Sequence, residues 1–415
     1  MAEETKTTDL APEEQLCECC GERPAEPGRQ YCSACLEHMK KYPFRWWQFI
    51  VPAVMVMFVV LAVLITMTQW TVYSGTAEAE RYVRNSQLNT ALTKYAALNA
   101  KIEDSTADQF GVRYLANQVD LYETIGIQEI SEESTFLDTY YPGTALQKPW
   151  NKKAAKAAQK VSDFQTVYQA FNTALSEGQD FESVLKAFDE SVEGKGLNEA
   201  YANYCRYYAC LMFEQSTKTQ KKYVDAIKAE GKEYASMYLP LYAEISLNSQ
   251  NFKETLTYTS QMKELNAEDA YCYAYAAVAY RMQGDLAKAT KQLNDGLDYN
   301  STSGMLNYQM SILYLLNGQY KLAEAYADTA FENAETEYNY QSAASIYALI
   351  AELRARKYQK ADKDEQYTDE HSIYTTILAN LESYGYEVSP DVEKILDGEK
   401  TVKEVFMEGT GDFSW

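Results

Sequence analysis

Five of the eight cysteines in this 415-residue chain lie before residue 36, and four of them form two C-x2-C pairs. The pairs are Cys17 with Cys20 and Cys32 with Cys35, with eleven residues between them. Structural Zn²⁺ takes four thiolate or imidazole ligands in a tetrahedron, and two such pairs can close around one ion. Gly21 permits the tight turn that follows the first pair. The spacing therefore predicts one structural zinc ion held by these four cysteines.

Two neighbouring residues leave the ligand set open. Cys19 and His38 are alternative ligands, since Cys35-x2-His38 is itself a workable metal spacing. Thiols in the cytoplasm are kept reduced, which argues against disulfides if the segment lies there. A redox or catalytic role would need a folded site, and the segment has few apolar residues to build one. A module this small would take its folding energy from the metal.

Residues 17–41 resemble the short zinc-ribbon modules of many bacterial membrane proteins, including the aromatic Tyr31 before the third cysteine. After Cys35 the sequence departs from that pattern and reads as the start of a helix, so a ribbon and a treble-clef-like knuckle both fit. Residues 1–16 are rich in Glu and Thr with little apolar content, which predicts a disordered lead.

Residues 46–70 contain no charged side chain. A helix of this length crosses roughly 30 Å of hydrocarbon with length to spare for tilt. Trp46, Trp47 and Trp70 stand at its two ends, as in an interfacial aromatic belt. A soluble core helix this long would usually keep a polar face. We therefore predict a transmembrane helix over 46–70.

The cations flanking this span indicate its direction. Lys40, Lys41 and Arg45 precede it, and no Lys or Arg occurs between 71 and 80. The positive-inside rule then places the N-terminus in the cytoplasm and the region after the span outside, in a single-pass protein of the cell membrane. The apolar stretch is longer than the core of a cleaved signal peptide, which favours an uncleaved anchor. The later cysteines would also be compatible with the reverse topology.

A 34-residue repeat follows in a helical, proline-poor region. Gly284 follows one predicted helix and Gly318 the next, with similar residues around each, and Gln250 falls in register one step earlier. This region resembles the tetratricopeptide repeat, a helix–turn–helix unit of 34 residues. The resemblance implies an all-α solenoid, preceded by the transmembrane helix and the four-cysteine knuckle.

The predicted organisation has seven parts. They are a lead (1–16), a knuckle (17–41), a transmembrane helix (46–70), a stalk with membrane-proximal helices (71–135), a helical hairpin (150–199), the repeats (200–371), and a C-terminal cap and tail (372–415). Within the stalk, residues 76–103 are predicted to continue the span as a helix. Two short capping helices are expected near the C-terminus, since terminal repeats need polar caps.

Catalytic chemistry has little support in the residues. His371 is the only histidine outside the knuckle, and no G-x-G-x-x-G or Walker pattern occurs. The net charge of −22 argues against nucleic acid as a partner. We therefore expect no enzyme; an enzyme of envelope maturation using paired carboxylates is the remote alternative.

The family resemblance implies that a protein or peptide partner lies on the concave surface made by the first helices of the repeats. The expected partner-binding residues are Arg206, Tyr207, Tyr271, Tyr275, Arg281 and Tyr308. The family's clamp for peptide carboxylates needs Asn where this chain has Cys210 and Val278. Many of the 36 tyrosines are expected to be packing residues. The predicted function is a membrane-anchored scaffold; the alternative is a cell-surface receptor for glycan or peptide with a tyrosine-rich groove.

Overall fold

The computed structural model describes residues 15–41, 47–101, 112–178 and 180–408. It divides into two compact units, 1–70 and 71–415. Residues 1–14 of the predicted disordered lead lie outside the described residues, and so does Trp46 of the predicted transmembrane helix. Within the described ranges the only extended pairing is an isolated bridge between Leu16 and Pro24, so the structure is all-α.

The first unit contains the cysteine module and the beginning of a long helix. The module folds as two turns followed by helix α1 (Ser33–Lys41), which confirms the helix expected after Cys35. Helix α2 (Trp47–Arg84) is the one helix of the described chain that is long and apolar enough to cross a membrane, by length and composition only. Its apolar side chains lie on the surface of the structure; Val56 and Phe58, for example, are 62% and 61% exposed.

The second unit begins with helices that pack on one another ahead of the repeats. Gly75 on α2 lies against Leu98 on the next helix, and Tyr95 and Tyr114 stack at 6.3 Å between ring centroids. The elements here are α3 (Leu88–Asn99), α4 (Val112–Ile125), α5 (Ile130–Tyr140), α6 (Lys152–Glu177) and α7 (Phe181–Val192). Helices α6 and α7 pack on each other as a helical hairpin.

Five further helical hairpins follow. Their helices are α8 (Glu199–Met212) with α9 (Thr217–Glu230), α10 (Ala235–Asn248) with α11 (Phe252–Leu265), α12 (Ala270–Met282) with α13 (Leu286–Leu297), α14 (Gly304–Leu316) with α15 (Tyr320–Glu332), and α16 (Glu337–Gln359) with α17 (Asp364–Ser383). Helix α18 (Pro390–Leu396) and a short π-helical turn, Glu404–Glu408, come after them.

The same turn recurs within all five of these hairpins, at Glu214, Gln250, Gly284, Gly318 and Asp362. Gly284 and Gly318 adopt φ of 80° and 68°, and the next residue donates its N–H at 2.9 Å to the Tyr280 or Tyr314 carbonyl. Gln250 occupies the equivalent position with φ of 55°, a left-handed conformation that glycine adopts at less cost. The recurrence of one turn confirms the repeat register read from the sequence. The second unit is a solenoid of tetratricopeptide type.

The first helices of the hairpins form the inner surface of this array. Helix α10 packs on α12, α12 on α14, and α14 on α16. The second helices of consecutive hairpins are further apart. An array in which the first helices are closer together curves towards them. These helices therefore present the concave face.

The predicted continuous stalk helix over 76–103 is wrong, because α2 ends at Arg84. Ser86 takes φ of 56° and reverses the chain into α3 with the turn that the repeats use. The Ser86 carbonyl accepts the Ala267 N–H at 2.6 Å, and the Ser86 hydroxyl donates to the Glu264 carbonyl at 2.7 Å. The α2–α3 hairpin is thereby attached to the loop between α11 and α12 rather than standing free as a stalk.

Candidate functional site

The four predicted metal ligands meet at one point. The sulfur atoms of Cys17, Cys20, Cys32 and Cys35 all lie within 4.8 Å of one another, and Cys20 Sγ is 3.9 Å from Cys32 Sγ. Four thiolates bound to zinc at roughly 2.3 Å stand about 3.8 Å apart, so this spacing fits a tetrahedral ion. Cys19 is exposed and lies outside the group. These four cysteines could therefore hold one metal ion.

Backbone turns bring the four thiols together, and the pKa values of the thiols differ. Gly21, with φ of 68°, donates its N–H to the Cys17 carbonyl at 2.8 Å. Burial disfavours the Cys17 thiolate, but N–H groups of Cys32, Cys20 and Cys19 outweigh that effect and lower its pKa to about 6. Contacts with the neighbouring thiols, first that of Cys32, raise the pKa of Cys35. Four adjacent thiolates repel one another, so their joint ionisation needs a cation among them.

Two half-buried tyrosines mark the concave face of the solenoid. Tyr271 and Tyr275 lie one turn apart on α12, with ring centroids 5.9 Å from each other. Burial raises the pKa of the Tyr275 phenol, and the charges of Glu244, Tyr271 and Asp269 raise it further. Groups from α10 and α12 therefore lie close together around Tyr275.

Two carboxyl groups near Tyr275 have raised pKa values. Burial raises the pKa of Asp269 to about 6, although the backbone N–H of Tyr271 opposes the shift by a 2.9 Å hydrogen bond. Burial likewise raises the pKa of Glu244, and the Tyr207 hydroxyl partly offsets this by donating to Glu244 Oε2 at 3.0 Å. The concave face is therefore aromatic with recessed carboxyl groups.

Arg281 is a buried cation without a carboxylate partner among the described residues. Its side chain is 1% exposed, and Nη1 donates to Gln309 Oε1 on α14 at 2.7 Å. Within the described chain, Nε and Nη2 have no hydrogen-bond partner. Burial lowers the pKa of the guanidinium to about 10, with Tyr308 opposing the shift. A buried cation with unsatisfied N–H groups lowers the stability of the folded state, so Arg281 is a costly residue at this position.

The structure places the six predicted partner-binding residues in different surroundings. Arg206 pairs with Asp189 at 2.9 Å and with Glu199 at 3.2 Å, and the first of these contacts holds α8 to α7. Tyr207 is fully buried, and Tyr308 is 2% exposed in a cluster with residues from the C-terminal end. Tyr271, Tyr275 and the ion-paired Arg206 thus keep some exposed surface, whereas Tyr207, Arg281 and Tyr308 are buried.

Sequence reasoning missed Glu244, Asp269 and residues 402–408 as parts of this face. Glu244 is the only charged residue within α10, which is otherwise apolar or aromatic with a few small polar residues; this could have identified it. Asp269 reads simply as the N-cap of α12, a role it does fill. The position of residues 402–408 depends on contacts distant in sequence and left no local signal.

No protein-family model matches the chain, and no curated protein matches it. The similar solved structures include a thermophilic tetratricopeptide protein of Thermus thermophilus at 16% identity, covering 45% of this chain and 98% of that one, with a TM-score of 0.36. A tetratricopeptide repeat protein of Parabacteroides merdae is 14% identical, covering 67% and 99%, with a TM-score of 0.35. The P58(IPK) tetratricopeptide domain is 11% identical, covering 80% and 99%, with a TM-score of 0.24. Similarity at this level says nothing about a shared partner.

Proposed function

We propose that this chain is a membrane-anchored scaffold that binds a protein or peptide partner on the concave face of its solenoid. The observation that carries this proposal is the partly exposed pair Tyr271 and Tyr275, set among groups of neighbouring first helices. Tyrosine provides large contact area at small conformational cost and a hydroxyl that bonds to peptide groups. We further propose that the chain is not an enzyme; His371 Nδ1 lies 3.1 Å from Glu352 Oε2, in a structural contact between α16 and α17.

The proposed anchor is the apolar part of α2. Its exposed apolar side chains and the three cations before it support a single span with the N-terminus in the cytoplasm. On this reading the solenoid is extracytoplasmic, and the cysteine module lies in the cytoplasm with one zinc ion bound by Cys17, Cys20, Cys32 and Cys35. The zinc is proposed to be structural, because all four positions of a tetrahedral ion are taken by protein ligands.

Crosslinking from intact membranes tests the binding role. Photo-crosslinking followed by affinity capture of the full chain should recover a discrete partner, and Tyr275→Ala should reduce its recovery about tenfold, as loss of an aromatic anchor does. The matched control is Tyr384→Ala, since Tyr384 is 67% exposed in the turn after α17 and away from α12. Equal recovery by both variants would refute binding at the concave face.

A further inference from the structure

The C-terminal end of the described chain lies on the concave face. Residues 402–408 follow α18, and the π-helical turn Glu404–Glu408 lies against α12. Val405 and Phe406 are each 2% exposed and belong to one apolar cluster with Tyr308 and Ile312 of α14 and with residues of α16. A segment that reaches the first helices of three hairpins must lie on the surface that those helices share.

This placement accounts for the burial of Tyr308. Helix α14 buries two faces: Met310 and Leu313 pack with the preceding hairpins, while Tyr308 and Ile312 pack with α16 and the C-terminal segment. Tyr308 in turn lies near enough to Arg281 for its charge to affect the guanidinium pKa. Residues 402–408 therefore cover the part of the concave face that extends from α16 across α14 towards Arg281 on α12.

Apolar side chains hold the segment in place: Val405 and Phe406 are buried in the cluster, and Val402 packs against it. Lys403, Glu404 and Glu408 are exposed, and their contacts are local: Glu404 accepts from the Thr401 N–H at 2.7 Å, and Lys403 pairs with Glu408 at 3.4 Å. Among the described residues no salt bridge joins the segment to the helices beneath it. A π-helical turn is rare and is frequent at functional sites. The segment is thus attached as a docked peptide would be.

We infer that the concave face at α12, α14 and α16 is a binding site for peptide segments with two adjacent bulky apolar side chains, and that residues 402–408 are its resident occupant. Val405 and Phe406 fill the positions that the partner's side chains would take. The partner's segment gains access by displacing the C-terminal one, so the chain regulates its own binding site. This inference rests on the proposed function and names the ligand class for it.

A peptide supplied in trans tests the inference on the full-length chain in detergent. The probe is a fluorescent peptide of residues 400–415, titrated by anisotropy into the wild-type chain, into a variant ending at Lys400, and into Phe406→Ala. We expect binding to the shortened chain and to Phe406→Ala, and binding to wild type at least about tenfold weaker, because the resident segment has the advantage of a high effective concentration. A control peptide with Val405→Asp and Phe406→Ala should lose binding.

Two results would overturn the inference. Equal affinity for wild type and both variants, or no binding to any of them, would show that the face does not take this class of peptide. A melting temperature lowered by more than about 10 °C in both variants would identify the segment as a structural cap instead. If the peptide binds but membrane crosslinking recovers no partner, the inference stands and the proposed scaffold role is refuted. The two experiments therefore distinguish failure of the inference from failure of the proposed function.

Discussion

The hydroxyl of Tyr207 donates a 3.0 Å hydrogen bond to Oε2 of Glu244, and this bond joins the first helices of two successive hairpins below the concave face. Tyr207 is fully buried and Glu244 is half-buried, so the hydroxyl depends on this carboxyl group for its polar contact. Tyr207→Phe should therefore lower the free energy of unfolding by about 1–3 kcal/mol, because it leaves the half-buried carboxyl group without its donor.

Denaturant unfolding of Tyr207→Phe and Tyr208→Phe, side by side, measures that cost. Tyr208 is 42% exposed and shares a long hydroxyl contact of 3.3 Å with Tyr204, so its change should alter stability by less than about 0.5 kcal/mol. Indistinguishable midpoints would mean that Glu244 finds another partner.

Zinc content gives the second prediction. The full chain should bind one Zn²⁺, and Cys17→Ser or Cys32→Ser should reduce its zinc affinity at least about tenfold, since each removes a thiolate from the coordination shell. Cys19→Ser is the matched control, because Cys19 is exposed outside the four-sulfur group. Metal analysis of purified protein reports the ratio, and a Cys19→Ser variant that loses the most zinc would show that the ligand set is different.

Topology can be tested with a membrane-impermeant thiol reagent and an introduced cysteine. Cys205, Cys210 and Cys272 are buried and should react slowly, so Ser301→Cys, exposed in the turn before α14, gives a specific signal. In intact cells this cysteine should be labelled, whereas the exposed Cys19 should react only after the membrane is opened. Labelling of Cys19 and protection of Ser301→Cys would establish the reverse orientation.

The stability of the solenoid should fall as pH rises from 6 to 9 because of Glu133. Burial raises the pKa of this carboxyl on α5 to about 8, with Glu123 adding to the shift and Lys160 opposing it. The folded pKa is higher than the unfolded one, so the folded state keeps a proton that the unfolded state has lost, and stability declines until about pH 8.

Glu133→Gln should remove roughly 2 kcal/mol of that pH dependence, measured as unfolding free energy at pH 6 and pH 9. Glu132→Gln is the control, since Glu132 is the neighbouring carboxyl on the same helix and is less buried. A slope that persists in Glu133→Gln and matches wild type would assign the effect to other carboxyl groups.

Gln250→Gly should stabilise the solenoid by about 0.5–1 kcal/mol, because Gln250 holds a left-handed φ of 55° that glycine adopts without steric cost. Ser249→Gly, one residue earlier with φ of −83°, should instead destabilise it by weakening the end of α10. Thermal melts of the two variants should shift in opposite directions, and a shared direction would contradict the conformational argument.

The repeat could be predicted because its signals are local. Gly284 and Gly318 mark turns whose geometry needs a positive φ, and the apolar spacing around them fixes both helices of each hairpin. The four cysteine ligands were equally local, since their spacing alone implies that the sulfurs can meet.

The features that sequence reasoning missed depend on distant contacts. The residues around Ser86 do not predict the chain reversal between α2 and α3, because that turn is stabilised by the loop around Ala267. Tyr308 was expected in an open groove, but it is buried in one apolar cluster with residues of α16 and with Val405 and Phe406. Arg206 read as a groove residue because its ionic partner Asp189 belongs to the preceding hairpin. Pairings of this kind are set by the fold and leave no periodic trace.

The attachment of Ser86 to the loop between α11 and α12 decides how the solenoid responds to force. Thr90 reinforces it, donating its backbone N–H to Glu268 Oε2 at 2.7 Å. Tension on residues 71–84 of α2 would pass partly through these short hydrogen bonds into the α11–α12 loop, and partly through the packing of α2 on the helices that follow it. A pull from that end would therefore load the α11–α12 loop, which lies next to Tyr271 at the proposed binding surface.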